Sequence, residues 1–225
     1  YNSLRYNQNA VSNTAVGHEA LTTNTTGSNN TAVGAGALYY HTTGNSNTAL
    51  GHNAAQDTTT GYNITAIGRE SLANNTTGYD NVAVGKGTLI TNTTGTRNTG
   101  LGTAALSANT TASNNVAVGY AALLANTTGT ENTALGKSAM AATTTGSYNT
   151  AIGITSMEYN TTGNYNVALG RRALWSNTTA SYNTALGPAA LFYNTSGANN
   201  TAVGYSALQA NTTASNNVAV GASAL

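Results

Sequence analysis

Asn13-Thr14-Ala15-Val16-Gly17 decides the fold, because this stretch returns every 17 residues until the sequence stops. Its closing glycine recurs as Gly17, Gly34, Gly51, Gly68, Gly85, Gly102, Gly119, Gly136, Gly153, Gly170, Gly187, Gly204 and Gly221, with no insertion or deletion. A fixed short period signals an array in which each repeat packs on its neighbours. Residues 1–225 are therefore read as a single solenoid with no internal boundary, a window from a longer polypeptide.

Numbering slots from the residue after each such glycine, the repeat reads x-x-A-L-x-x-N-T-T-G-x-x-N-T-A-V-G. Slot 4 is Leu apart from Ala55, Met140 and Met157, and slot 16 is always Val, Leu or Ile. These two columns are expected to form the core, with Leu21, Leu123 and Leu174 from slot 4 and Val33, Val118 and Leu186 from slot 16. Slot 14, Thr or Val, lies two residues from slot 16 and should share its inward face, since alternate strand residues point the same way. Slot 2, which holds Ala121, belongs to the freely varying set and is expected to face solvent.

Of the 25 glycines, 22 fall in slots 10 and 17. Glycine is cheap where a backbone turns sharply or meets another backbone, and two such points per repeat leave room only for short strands. The repeat is one coil of a parallel β-solenoid, an all-β fold. Helix-pair repeats need about 33 residues and would not carry Asn-Thr-Thr-Gly in every unit. Slots 7 and 13 are almost always Asn, which on stacking become ladders whose amides bond from coil to coil. Slots 8 and 9 are Thr-Thr in most repeats, so one Thr column should point in and the other out. The core of a lone chain is thin, and small Ala in slots 3 and 15 permits close packing between chains. A homo-oligomeric rod is expected, with a homotrimer the natural form.

These residues resemble the head repeats of trimeric autotransporter adhesins, whose coils carry a phrase like Asn-Ser-Val-Ala-Ile-Gly. The nearest counterparts are Asn81-Val82-Ala83-Val84-Gly85, Asn115-Val116-Ala117-Val118-Gly119 and Asn217-Val218-Ala219-Val220-Gly221. The longer phrase at residues 200–208, Asn-Thr-Ala-Val-Gly-Tyr-Ser-Ala-Leu, is also similar to repeats of bacteriophage tail fibres. The resemblance covers the whole chain and implies a trimeric, left-handed parallel β-roll. It also implies an extracellular place, on a cell or virion surface, and attachment to host surfaces or the spacing of another domain that attaches. The adhesin coil is usually shorter, so the Asn-Thr-Thr-Gly loop adds length on one side.

Composition removes several functional classes. Seven Lys and Arg against six Asp and Glu leave a net charge of +1, no electrostatic footprint for nucleic acid. No apolar run approaches the roughly 18 residues needed to span a bilayer, so no membrane insertion is expected in this segment. There is no cysteine, the three histidines lie in different repeats, and the acids are scattered singly. No metal, cofactor or enzymatic activity is expected.

Specific recognition would sit in the variable slots 1, 2, 5, 6, 11 and 12, which hold every charged and aromatic residue. Residues 17 apart become neighbours on stacking. Tyr148, Tyr165 and Tyr182 share slot 12 and should form a ladder. Glu158, Trp175 and Phe192 share slot 5, flanked by Tyr159 and Tyr193, while Arg171 and Arg172 open the coil that holds Trp175. Exposed rings beside arginine are good anchors for a host-surface glycan or protein; the plainer reading is that stacked rings simply support neighbouring coils. The function expected is a structural and adhesive extracellular fibre segment. Two alternatives are a Thr-array solenoid that binds ice and a self-assembling filament or sheath subunit. Against ice binding, the adjacent Thr25 and Thr26 and their equivalents supply only one outward Thr row.

Overall fold

A computed structural model describes residues 2–225. It is an all-β parallel solenoid with one three-residue strand per repeat, in slots 14 to 16, and no helix among the described residues. The chain forms two compact units, the first running to Asn114 and the second spanning Asn115–Leu225.

The first unit contains β1 (Thr14–Val16), β2 (Thr31–Val33), β3 (Thr48–Leu50), β4 (Thr65–Ile67), β5 (Val82–Val84) and β6 (Thr99–Leu101). Each pairs in parallel with the next at an offset of one repeat, so that Thr14 faces Thr31 and Ala15 faces Ala32. The second unit contains β7 (Val116–Val118), β8 (Thr133–Leu135), β9 (Thr150–Ile152), β10 (Val167–Leu169), β11 (Thr184–Leu186), β12 (Thr201–Val203) and β13 (Val218–Val220), paired by the same rule.

The invariant glycine has two reasons to be there. In slot 17 its φ lies between 124° and 140°, where a side chain is strained. The backbones also meet face to face: a Cβ on Gly17 would fall 2.6 Å from the carbonyl oxygen of Gly34. More surprising is the left-handed backbone at slots 2, 4 and 12, seen in one second-unit coil as Ala121 (φ 54), Leu123 (φ 50) and Glu131 (φ 58). Such a conformation costs roughly 1–2 kcal/mol at a residue other than glycine. Inter-coil hydrogen bonds hold it, among them Leu123 N–H to Ala139 O at 3.0 Å and Ala125 N–H to Ala141 O at 3.0 Å.

The core differs from the expected one in its strand. Leu21, Leu123 and Leu174 are fully buried, but it is the slot 15 alanines, such as Ala32, Ala117 and Ala185, that join them inside. Val33, Val118 and Leu186 point outward and are only half-buried, and the Thr or Val of slot 14 points out with them. The period-two alternation was right and its phase was inverted. The Leu column and the slot 3 alanines already fill the narrow interior, so slot 15 has room for a methyl and no more. In slot 2 the expectation fails at Ala121, which is buried at 6% exposure, while Arg172 in the same slot is exposed and Glu70 and Ala189 are half-buried.

The Asn ladders close the other side of the coil. In the second unit, the Asn149 side chain donates to Gly163 O at 2.8 Å and to Asn132 Oδ1 at 3.1 Å, and its own Oδ1 accepts from Asn166 N–H at 3.0 Å. In the slot 7 ladder, Asn177 donates to Ala180 O at 3.0 Å and to Asn160 Oδ1 at 2.8 Å. The first unit repeats the arrangement, with Asn92 donating to Gly95 O at 3.1 Å and to Asn75 Oδ1 at 2.8 Å. At Gly95, Gly163 and Ala180 the slot 10 carbonyl thus serves two amides, one from each ladder, which satisfies a buried backbone acceptor where no strand runs. Slot 8 threonines bond upward, as Thr76 Oγ1 does to Thr93 O at 3.0 Å, while slot 9 threonines are exposed.

Candidate functional site

The richest concentration of recognition-type side chains lies in the second unit. A repeat offset of one strand spacing brings residues 17 apart within ring-stacking reach. Trp175 and Phe192 stack with centroids 5.0 Å apart and planes 16° from parallel. Tyr159 meets Trp175 edge-on at 4.7 Å, and Tyr193 meets Phe192 likewise at 4.6 Å. Trp175 Nε1–H donates to Glu158 Oε2 at 2.7 Å, which ties up both the indole donor and that carboxylate. The Arg172 guanidinium carbon lies 6.0 Å from the Trp175 ring centroid, at the outer edge of a cation–π contact.

Tyr148, Tyr165 and Tyr182 form the expected ladder, with centroid separations of 4.7 and 5.2 Å and planes within 2° of parallel. No ring contact among the described residues joins that ladder to the Trp175 group. The nine aromatic and arginine candidates therefore form two sites.

A cleft of about 330 Å³ opens beside Phe192. It is lined by Arg171, Pro188 and Tyr205 in slot 1 of successive coils, by Arg172 and Ala189 in slot 2, and by Phe192, Tyr193 and Gln209 in slots 5 and 6. The sequence reading missed Pro188, Ala189, Tyr205 and Gln209 because it followed rings along one column. Adding 17 to Arg171 and Arg172 would have found Pro188 and Ala189. Gln209 stands where a ring would continue the Trp175–Phe192 column, so the cleft begins where the aromatic stack stops.

A second surface runs along the outer face of the strands. In the second unit its slot 16 column reads Val118, Leu135, Ile152, Leu169, Leu186, Val203 and Val220, beside a slot 14 column of Thr and Val. Leu135 and Leu169 are each 45% exposed. The first unit presents the same face, from Val16 to Leu101.

Among the described residues, no three His, Asp or Glu side chains come together as a metal site. His41 is buried within the slot 7 ladder of the first unit, its Nε2 2.8 Å from Gly44 O. Burial pulls its pKa below the ordinary 6.5, against the opposing effect of backbone bonds at Gly44 and Thr58. No helix among the described residues is long and apolar enough to cross a membrane. Compared with family models, curated proteins and solved structures, the chain matches none of them.

Proposed function

We propose that this chain is a structural and adhesive fibre segment, whose copies associate through the outer strand face and whose variable slots make contacts with a surface. One observation carries the reading. At slot 1, which is almost wholly exposed, the residue ranges over His, Arg, Lys, Tyr, Ile and Pro, whereas slot 16 is exposed or half-buried and yet is Val, Leu or Ile in every repeat. A column left in water would drift as slot 1 does; an apolar stripe without polar interruption is a surface made to be covered. A second copy supplies the matching partner, because its own stripe repeats with the same spacing. Three-fold assembly, an extracellular place and a non-enzymatic role follow the resemblance to adhesin heads and tail fibres.

Sedimentation equilibrium of the isolated segment tests this. A mass near three chains supports the trimeric fibre, an open-ended distribution of masses supports the filament alternative, and a clean monomer at micromolar concentration overturns assembly through this face.

Ice binding gains one observation of its own. The strands place Thr14 and Val16, Thr31 and Val33, and their successors outward in two parallel rows, where the Thr-Thr loop offers a single row. The mixture of Val, Leu and Ile in the outer row makes that face less uniform than a lattice-matching array requires. Thermal hysteresis measured on the same sample decides between them.

A further inference from the structure

The cleft beside Phe192 has the chemistry of a site for an acidic saccharide, and we infer that it takes a sugar ring bearing a carboxylate. The inference rests on the adhesive part of the proposed function and names its ligand class. Four features point to it. Arg171 and Arg172 both line the cleft and are exposed, and neither forms an ion pair among the described residues. Glu158, one repeat below Trp175, is hydrogen-bonded to the indole N–H and forms no ion pair with either arginine among the described residues. Phe192, Tyr193 and Tyr205 with Pro188 offer the apolar faces on which the C–H side of a pyranose packs. Gln209 adds an amide that both donates and accepts, suited to sugar hydroxyls.

Size and backbone agree. A volume of about 330 Å³ lies at the lower end of small-ligand sites, fitting one or two sugar rings. A peptide would seek a free backbone edge for strand addition, and here the backbone is already used between coils. Ala189 N–H bonds to Arg171 O at 3.0 Å, Tyr193 N–H to Gln209 O at 3.2 Å and Ser206 N–H to Pro188 O at 3.0 Å. What remains to a ligand is side chains: rings for the sugar face and two forked cations for its carboxylate, which arginine grips in a bidentate manner.

Trp175, the single tryptophan of the chain, stacks on the Phe192 ring that lines the cleft and reports binding through its fluorescence. The intact segment is titrated with sialyllactose, with a glucuronate-ended disaccharide and with neutral lactose. Mass is measured on the same preparation. The expected result is saturable binding of one or both acidic sugars at least about tenfold tighter than lactose. Arg171→Ala and Arg172→Ala should each weaken the acidic sugars by about tenfold or more and leave lactose unchanged. Which acidic sugar binds identifies the source of the carboxylate. Equal affinity for lactose overturns the inference, as do indifference to both arginine substitutions and absence of binding at millimolar sugar. Failure to bind by a correctly assembled segment leaves the fibre standing without this ligand; binding by a monomer does the reverse.

Discussion

The methyl group of Thr88 occupies the space that a side chain at residue 100 would need: a Cβ on Gly100 would fall 2.6 Å from Thr88 Cγ2. Thr88 replaces the usual Ala or Ser of slot 3, and Gly100 replaces the Ala found in slot 15 of every other repeat. Thr88 is fully buried, and its hydroxyl donates to Gly102 O at 2.6 Å. The two departures compensate within one coil, and the interior keeps its volume.

Gly100→Ala alone should therefore overpack this coil and cost about 1–3 kcal/mol. Thr88→Ala alone loses a buried hydrogen bond and leaves a gap, at roughly 1–2 kcal/mol. The double variant restores the repeat consensus and should be more stable than either single variant. Chemical denaturation of the four proteins, read as a double-mutant cycle, checks this. Additive losses would mean that the two residues do not share space.

His41 interrupts the slot 7 ladder. Where Asn follows Asn in this column the amide of one coil donates to the Oδ1 below, as Asn92 does to Asn75, but Asn24 Oδ1, beneath His41, is buried with no partner, as is Asn126 Oδ1 beneath Thr143. Because burial lowers the folded-state pKa beneath 6.5, the unfolded chain binds more protons at this site once the pH drops below that value. Stability should be constant above about pH 6.5 with respect to this group and fall as the pH descends toward the folded-state pKa. His41→Asn should repair the ladder, gain about 1 kcal/mol at neutral pH and flatten that part of the acid dependence. Thermal melts of both proteins from pH 7 to pH 5 test it; parallel curves would remove His41 from the account.

How much of this was legible in the sequence follows from what repetition can and cannot encode. The period, the two Asn columns and the Leu column were readable, because each is a constraint applied in every coil. So were the Trp175–Phe192 and Tyr148–Tyr165–Tyr182 stacks, since 17 residues equal one step between coils. The phase of the strand was not. Thr-Ala-Val with Ala inside and Thr-Ala-Val with Val inside share one alternation, and hydrophobicity favours the wrong one; only the interior width, seen in the Thr88–Gly100 contact, decides for Ala. Left-handed backbone at Leu123 was equally hidden, because leucine carries no local preference for it and stacking imposes it.

That backbone gives a reversed glycine effect. Glu131 is exposed and has φ 58. Replacing an exposed residue by glycine usually destabilises, but here relief of about 1–2 kcal/mol of left-handed strain opposes the entropic loss of about 0.5–1 kcal/mol. Glu131→Gly should leave stability unchanged or raise it by up to about 1 kcal/mol. Glu131→Val, branched at Cβ, should lower it by about 1–2 kcal/mol. Denaturant midpoints for the three proteins provide the check. Equal losses for Gly and Val would mean that the backbone at 131 is not left-handed.

The division between inside and outside makes its sharpest prediction at Leu123 and Leu169. Leu123 is fully buried, whereas Leu169 on the strand face is 45% exposed. Leu123→Asp places an unpaired charge in the interior and should cost more than about 4 kcal/mol, enough to unfold the coil. Leu169→Asp leaves the interior intact. It should retain the far-ultraviolet spectrum of the parent at low concentration while losing its higher-mass species in sedimentation, because the charge is buried only when a second copy covers the face. Lys137→Asp, on an exposed slot 1 residue, serves as the charge-change control and should alter neither property. If Leu169→Asp assembled as the parent does, the outer strand face would not be the interface, and its apolar column would need a different occupant.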